Sequence, residues 1–231
     1  MRKTVNMILG AFLCLLASAC RDSHDGPTLS VFQNIVTFTG NGAQTANFEY
    51  QEEGDSPLVR LGVKGNLKED EVKPGTRLLM TYSLPDDVKY GEDCQDVILR
   101  GLQTIYNATV TPLPYSDAAA CNSPVGLVTI YRTGVFINFT AQMPQLPGRR
   151  YILAADIASL DTPEAHLYLS TEVEKDEPAY NSTQIGSIDI SSVWNRPGIT
   201  SVCVHVNNPR NPNMTEFVSV SYTHLTLPTN S

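Results

Sequence analysis

The residues of this 231-residue chain whose types and spacing could do chemistry are its cysteines, its scattered histidines and a few aromatic rings. Cys20 has the most specific setting. It closes MRKTVNMILGAFLCLLASAC, in which Arg2 and Lys3 give a positive start and residues 7–16 a short apolar run. Ala17, Ser18 and Ala19 then supply the small residues a peptidase needs before its cut. The run is too short for a bilayer span, which takes about 20 apolar residues. A cysteine directly after the small residues marks a bacterial lipoprotein signal: residues 1–19 leave, and the Cys20 thiol takes lipid, palmitate among its acyl chains, at the mature N-terminus. Ala17 stands where leucine is usual, with Leu16 one place further back, and ordinary secretion is the alternative.

Cys14 leaves with the signal, so Cys94, Cys121 and Cys203 remain. Cys94 (YGEDCQD) and Cys121 (AAACNSP) sit in polar, loop-like settings and can pair in an oxidising compartment. Closing that loop would stabilise by roughly 3–4 kcal/mol; two unpaired thiols are the alternative. Cys203 lies in the strand-like SVCVHV, where burial as a small apolar residue is the default. His24, His166 and His205 are far apart in sequence, so no zinc-type spacing occurs and no metal or cofactor is expected. There is no Gly-x-Ser-x-Gly elbow and no phosphate-cradling glycine loop. The densest carboxylates, in residues 172–177 (EVEKDE), read as a solvated loop rather than a glycosidase pair or calcium loop. No catalytic residue is assigned. Tyr50, Tyr82 and Tyr106, on expected barrel strands, and the lone Trp194, at an expected strand end, are the candidates for stacking on a ligand. Core packing is the competing role for each of them.

The elements that must position these residues follow a period of two. Without Arg2 and Lys3 the chain holds 14 basic against 24 acidic residues, a net charge of −10 that repels nucleic acid. Residues 20–27 (CRDSHDGP) form a polar tether. Residues 28–110 hold five expected strands, at 31–38, 44–52, 58–64, 77–84 and 95–110. Gly101 serves as a bulge or bend in the last, and together they suit a small barrel of the oligosaccharide/oligonucleotide-binding (OB) type. Three prolines make 111–124 a linker. Strands at 127–131, 135–143, 150–157, 165–173, 185–193, 201–206 and 216–219 predict an antiparallel sandwich over 125–219, with one short helix near 161–165. Residues 220–229 (VSYTHLTLPT) look like the in-frame translation of a transposase adapter used in sequencing libraries. Residues 220–231 are therefore expected to be a non-native tail, the sandwich over 125–219 is expected to be C-terminally truncated, and His224 carries no functional weight. A genuine edge strand is the alternative there.

The order of these segments resembles the NigD-like lipoproteins of the Bacteroidota. It is carried by KPGTRLLMTYSL (73–84), QDVILRGLQTIYNATVTPL (95–113), YRTGVFINFTAQMP (131–144), RRYILAADI (149–157), AHLYLSTEVEKDEPAY (165–180) and IGSIDISSVW (185–194). The resemblance spans nearly the whole mature chain. It implies an N-terminal OB-type domain joined to a C-terminal β-sandwich and brings no general biochemical activity. The name of the family points toward immunity or interbacterial competition. The all-β reading, the anchor and the missing catalytic motifs lead to a non-enzymatic accessory lipoprotein of the outer membrane. It would face the periplasm or the cell surface and bind an envelope or secreted protein. A glycan-binding module is the second hypothesis and an enzyme of unfamiliar type the third.

Overall fold

A computed structural model describes residues 30–68, 70–146, 148–174 and 180–221; Cys20, the signal, the tether and residues 222–231 of the tail lie outside them. The chain is all-β. Its first five strands are β1 (Val31–Asn41), β2 (Thr45–Tyr50), β3 (Val59–Lys64), β4 (Arg77–Ser83) and β5 (Cys94–Thr104). They close a barrel in the order β1-β2-β3-β5-β4, sealed by antiparallel β1–β4 pairing and by parallel β3–β5 pairing. Alternation does the closing: Val36, Phe38, Phe48, Leu61, Leu78, Met80 and Tyr82 all point inward and are excluded from water. The expected break at Gly101 is a bulge. Thr81 faces Gly101 and Tyr82 faces Leu99, so Arg100 is the extra residue that bends β5 around the barrel.

The segment that reads as one strand over 95–110 divides at Ile105. Its second part, β6 (Tyr106–Thr109), leaves the barrel and pairs with the second unit. The supposed linker is not one either. Residues Thr111–Leu113 form β7, Tyr115–Ala120 form α1, and Val125 is fully buried. The prolines fit this arrangement: β7 is an edge strand, where Pro112 costs no interior ladder bond, and Pro114 precedes the first turn of α1.

The second unit continues with β8 (Leu127–Thr133), β9 (Phe136–Pro144), β10 (Arg150–Asp156), a 3-10 turn (Ile157–Asp161), β11 (Glu164–Glu172) and β12 (Asn181–Asp189). It ends with α2 (Ser191–Trp194), β13 (Ser201–Val206) and β14 (Glu216–Val220). Two sheets pack face to face, ordered β14-β13-β11-β10-β7 and β6-β12-β9-β8, around Leu127, Ile137, Phe139, Leu153, Leu167, Ile188 and Val204. The expectation of an antiparallel sandwich is corrected here, because β7–β10, β11–β13 and β6–β12 are parallel. The cause is connectivity. From β11 the chain crosses to the opposite sheet as β12 and turns through α2. It then returns beside β11 as β13, which therefore runs the same way.

Arg77, at the start of β4, joins the barrel to the sandwich. It is 4% exposed, and its guanidinium donates to Thr37 Oγ1 (3.0 Å) in the barrel and to Ser187 Oγ (3.1 Å) and Asn138 Oδ1 (3.1 Å) in the sandwich. It also lies 4.2 Å over the Phe136 ring. Neutral oxygens alone satisfy this cation, and burial draws its pKa down to about 10.

Candidate functional site

Tyr50 and Tyr82 are sealed in the barrel, at 2% and 0% exposure, with the Tyr82 hydroxyl donating to Asn34 Oδ1 at 3.0 Å. Burial pushes the Tyr82 phenol up to about 12 and Tyr50 higher still, so both remain neutral. Tyr106 belongs to the sandwich rather than the barrel. Its hydroxyl donates to the Tyr151 carbonyl at 2.6 Å, and its ring meets Tyr151 edge-on. Trp194 ends the short α2 rather than a strand; it packs on the sandwich core, and the Arg132 guanidinium covers its ring at 4.1 Å. Tyr50 and Tyr82 are thus closed to solvent, while Tyr106 and Trp194 are partly buried against the sandwich core.

The Cys94–Cys121 bridge is also corrected. Both thiols are free: Cys94 is buried in the barrel core, while Cys121 follows α1 in the sandwich. They occupy different folding units, which the polar look of their local sequences conceals. Burial and nearby acidic groups raise the pKa of Cys121 and Cys203, the latter to about 11, so neither is an activated nucleophile.

A cleft of about 710 Å³ opens where the barrel meets the open end of the sandwich. The β2–β3 loop supplies Glu52, Glu53, Asp55 and Ser56. Tyr131 and Arg132 come from β8, and the four successive residues 217–220 from β14. Arg132, 2% exposed, fixes its floor. The guanidinium donates to both Asp55 oxygens at 2.8 Å and to Ser219 Oγ at 2.8 Å, bridging loop and strand. The loop backbone is pinned as well, Gly54 N–H donating to the Arg132 carbonyl (2.8 Å) and Gly134 N–H to the Gly54 carbonyl (2.7 Å). Gly54 adopts a φ of +53°, which glycine takes without strain. Arg132 pairs in the low-dielectric junction with a carboxylate that is itself half exposed, so the pair holds position while the rim stays acidic. Among the described residues no strand covers the outer edge of β14, and Val218 is 52% exposed.

A second cluster lies on the outward face of the larger sheet. Sequence distance marked His166 and His205 as isolated, but the parallel β11–β13 ladder sets His166 beside Cys203 and Tyr168 beside His205. His166 Nδ1 and His205 Nε2 are 2.9 Å apart with their rings stacked, and with Cys203 their ligand atoms lie within 4.8 Å of one another. The expectation of no metal rested on spacing along the sequence, which does not register this convergence in space. The available signal was the odd-numbered placement of Cys203 and His205 opposite the core valines 202, 204 and 206, which puts both on one outward face.

No known family profile matches the chain, and no curated protein matches it. Solved structures do. A Bacteroides vulgatus protein of unknown function (DUF1344) superposes with a TM-score of 0.58 at 14% identity, over 85% of this chain and 92% of that one. A NigD-like immunity protein of Bacteroides caccae does so at 0.51 and 13%, over 85% and 94%. The barrel-then-sandwich fold is shared with NigD-like proteins. A third likeness, at 0.53 and 11%, covers 83% of this chain and 96% of a Bacteroides fragilis chain described as a lipoprotein. At these identities the likeness is one of fold. None of these three is named as an enzyme.

Proposed function

We propose that this chain is a non-enzymatic accessory protein of the bacterial envelope, lipid-anchored through Cys20, which binds a protein partner in the cleft beside β14. The observation that carries the reading is the cleft itself. It combines four residues of β14, whose outer edge no strand covers among the described residues, with an acidic rim of Glu52, Glu53 and Asp55, the last held by Arg132. An extended segment can add to such an edge through backbone hydrogen bonds, and basic side chains on it would meet the rim. The lipoprotein among the structural neighbours supports an envelope location. Among the described residues no helix is long and apolar enough to cross a membrane. Of the tyrosines behind the glycan alternative, Tyr50 and Tyr82 are closed to solvent inside the barrel, while Tyr106 is partly buried against the sandwich core.

The test is cross-linking in living cells with a photoreactive residue at Val218, and at Ile98 on the distant barrel surface as the control. A reproducible adduct at Val218 alone, lost in Cys20→Ala, is the expected result. Equal yields at both positions, or none at Val218, would remove the cleft as the binding site. A narrower reading, protection against a secreted protein, is favoured by the fold shared with the immunity protein and with a toxin-related protein of Parabacteroides distasonis. Deleting the gene should then sensitise cells to a neighbour's secreted protein, and unchanged survival in co-culture would dismiss it.

A further inference from the structure

We infer that β11 and β13 carry a transition-metal site of the zinc type, with His166 Nδ1, His205 Nε2 and Cys203 Sγ as its three protein ligands. It lies on the outward face of the larger sheet, where Cys203 stands opposite Val218 of β14 at the border of the cleft. Two imidazoles and a thiolate are the donor set that late first-row ions prefer; calcium and magnesium would want oxygen. The spacing fits. Two nitrogens bound to tetrahedral zinc at about 2.0–2.1 Å lie about 3.3 Å apart, so the ring nitrogens, now 2.9 Å apart, need part by only about 0.4 Å.

The surroundings argue against two histidines that merely hydrogen-bond each other. Each imidazole turns one nitrogen toward the shared centre and the other toward its own carboxylate: His205 Nδ1 lies 3.3 Å from Glu216 Oε1, and His166 Nε2 lies 3.9 Å from Glu164 Oε1. A carboxylate behind a metal-binding histidine orients the ring and strengthens it as a ligand, and Glu216 stands closer to that role than Glu164. Glu164 is itself held, accepting from Ser201 Oγ at 3.2 Å. Tyr168 stacks on the far face of His205 at 4.8 Å and keeps that ring in plane. Cys203, 4% exposed, faces this cluster and not the hydrophobic core. Three protein ligands on an outward face leave a fourth position for water or for a donor from another molecule.

The test is cobalt(II) titration of the purified, reduced protein, followed by zinc competition. One equivalent of cobalt should give the intense visible bands of a tetrahedral ion and a near-ultraviolet thiolate-to-cobalt band, both bleached by zinc. The thiolate band should vanish in Cys203→Ala and persist in Cys94→Ala and Cys121→Ala. Glu216→Gln alters an exposed residue, so folding is spared, and it should weaken binding by roughly 10- to 100-fold; His205→Gln should weaken it further. The site is overturned if one equivalent of cobalt gives no thiolate band. It is equally overturned if the band survives in Cys203→Ala, or if Glu216→Gln and His205→Gln bind as the parent does.

Discussion

Removing the Arg77 side chain should cost this protein about 2–6 kcal/mol, a range that follows from its surroundings. Three bonds from the guanidinium lie at 3.0–3.1 Å, and bonds from a charged donor contribute roughly 1.5–3 kcal/mol each, so their gross loss is about 5–9 kcal/mol. Against this stands the cost of keeping the group charged in a dry place. Its pKa falls from 12.5 to about 10, equivalent to roughly 3 kcal/mol regained when the guanidinium is gone. The difference agrees with the loss of one partner from a buried ionic network. Arg77→Met should cost less, about 1–2 kcal/mol. Its stem still lies under Phe136, and the stranded oxygens retain each other: Asn138 Nδ2 donates to Thr133 Oγ1 and Ser187 Oγ to Asn138 Oδ1, both at 2.8 Å. Urea denaturation at neutral pH measures both variants. Trp194 fluorescence reports the sandwich, and near-ultraviolet dichroism adds the barrel tyrosines. In the parent the two transitions should coincide, and in Arg77→Ala the barrel should melt first. A loss under about 1 kcal/mol in Arg77→Ala, or equal losses in Ala and Met, would mean that water reaches this junction and that the accounting is wrong.

Four further outcomes follow from the same structure. Gly186 faces Phe139 across β9 and β12, and a Cβ there would strike the ring, so Gly186→Ala should lower the urea midpoint by about 1–3 kcal/mol of stability. The Tyr82 phenol is held neutral up to about pH 12 in the folded barrel, against 10.0 when exposed. The stabilisation from that neutral burial is complete below pH 10 and is lost as pH rises from 10 to 12; Tyr82→Phe should flatten this part of the stability–pH curve. Under native conditions without reductant Cys121 should take an alkylating reagent while Cys94 and Cys203 resist it until urea is added, and mass spectrometry of peptides would show the order. Asp55→Asn should weaken the bidentate hold on Arg132 by about 1–2 kcal/mol and raise proteolysis within the β2–β3 loop, whereas an unchanged cleavage rate would deny that this pair fixes the loop.

The barrel was legible where its strands are half-buried, as in β1 and β2, where Val36, Phe38, Ala46 and Phe48 point inward and alternate with more exposed residues. The bulge beside Gly101 was legible for the same reason. The junction was not. Beyond the bulge, Leu102, Tyr106, Ala108 and Val110 keep one rhythm while the backbone changes sheets at Ile105, because alternation records which face is buried and not which neighbour supplies the cover. Prolines at 112 and 114 look alike in a linker and in an edge strand followed by a helix. The two buried arginines carry no local sign of burial, since their partners, Asn138 and Ser187 for Arg77 and Asp55 for Arg132, lie 61, 110 and 77 residues away. The histidine–cysteine cluster escaped for a related reason: a spacing search assumes neighbours in sequence, and here a parallel crossover through another sheet makes the neighbours.

The placement of β6 and β7 also governs how this chain can be cut. Each closes the edge of a different sheet of the sandwich, β6 beside β12 and β7 beside β10, although both lie in the stretch that follows the barrel. A fragment begun at Val125 would therefore expose two bare strand edges at once, an invitation to self-association or exchange of strands between copies. The barrel and sandwich are distinct in shape yet interleaved in sequence, and recombination that shuffles whole modules between proteins would have to carry both of them together.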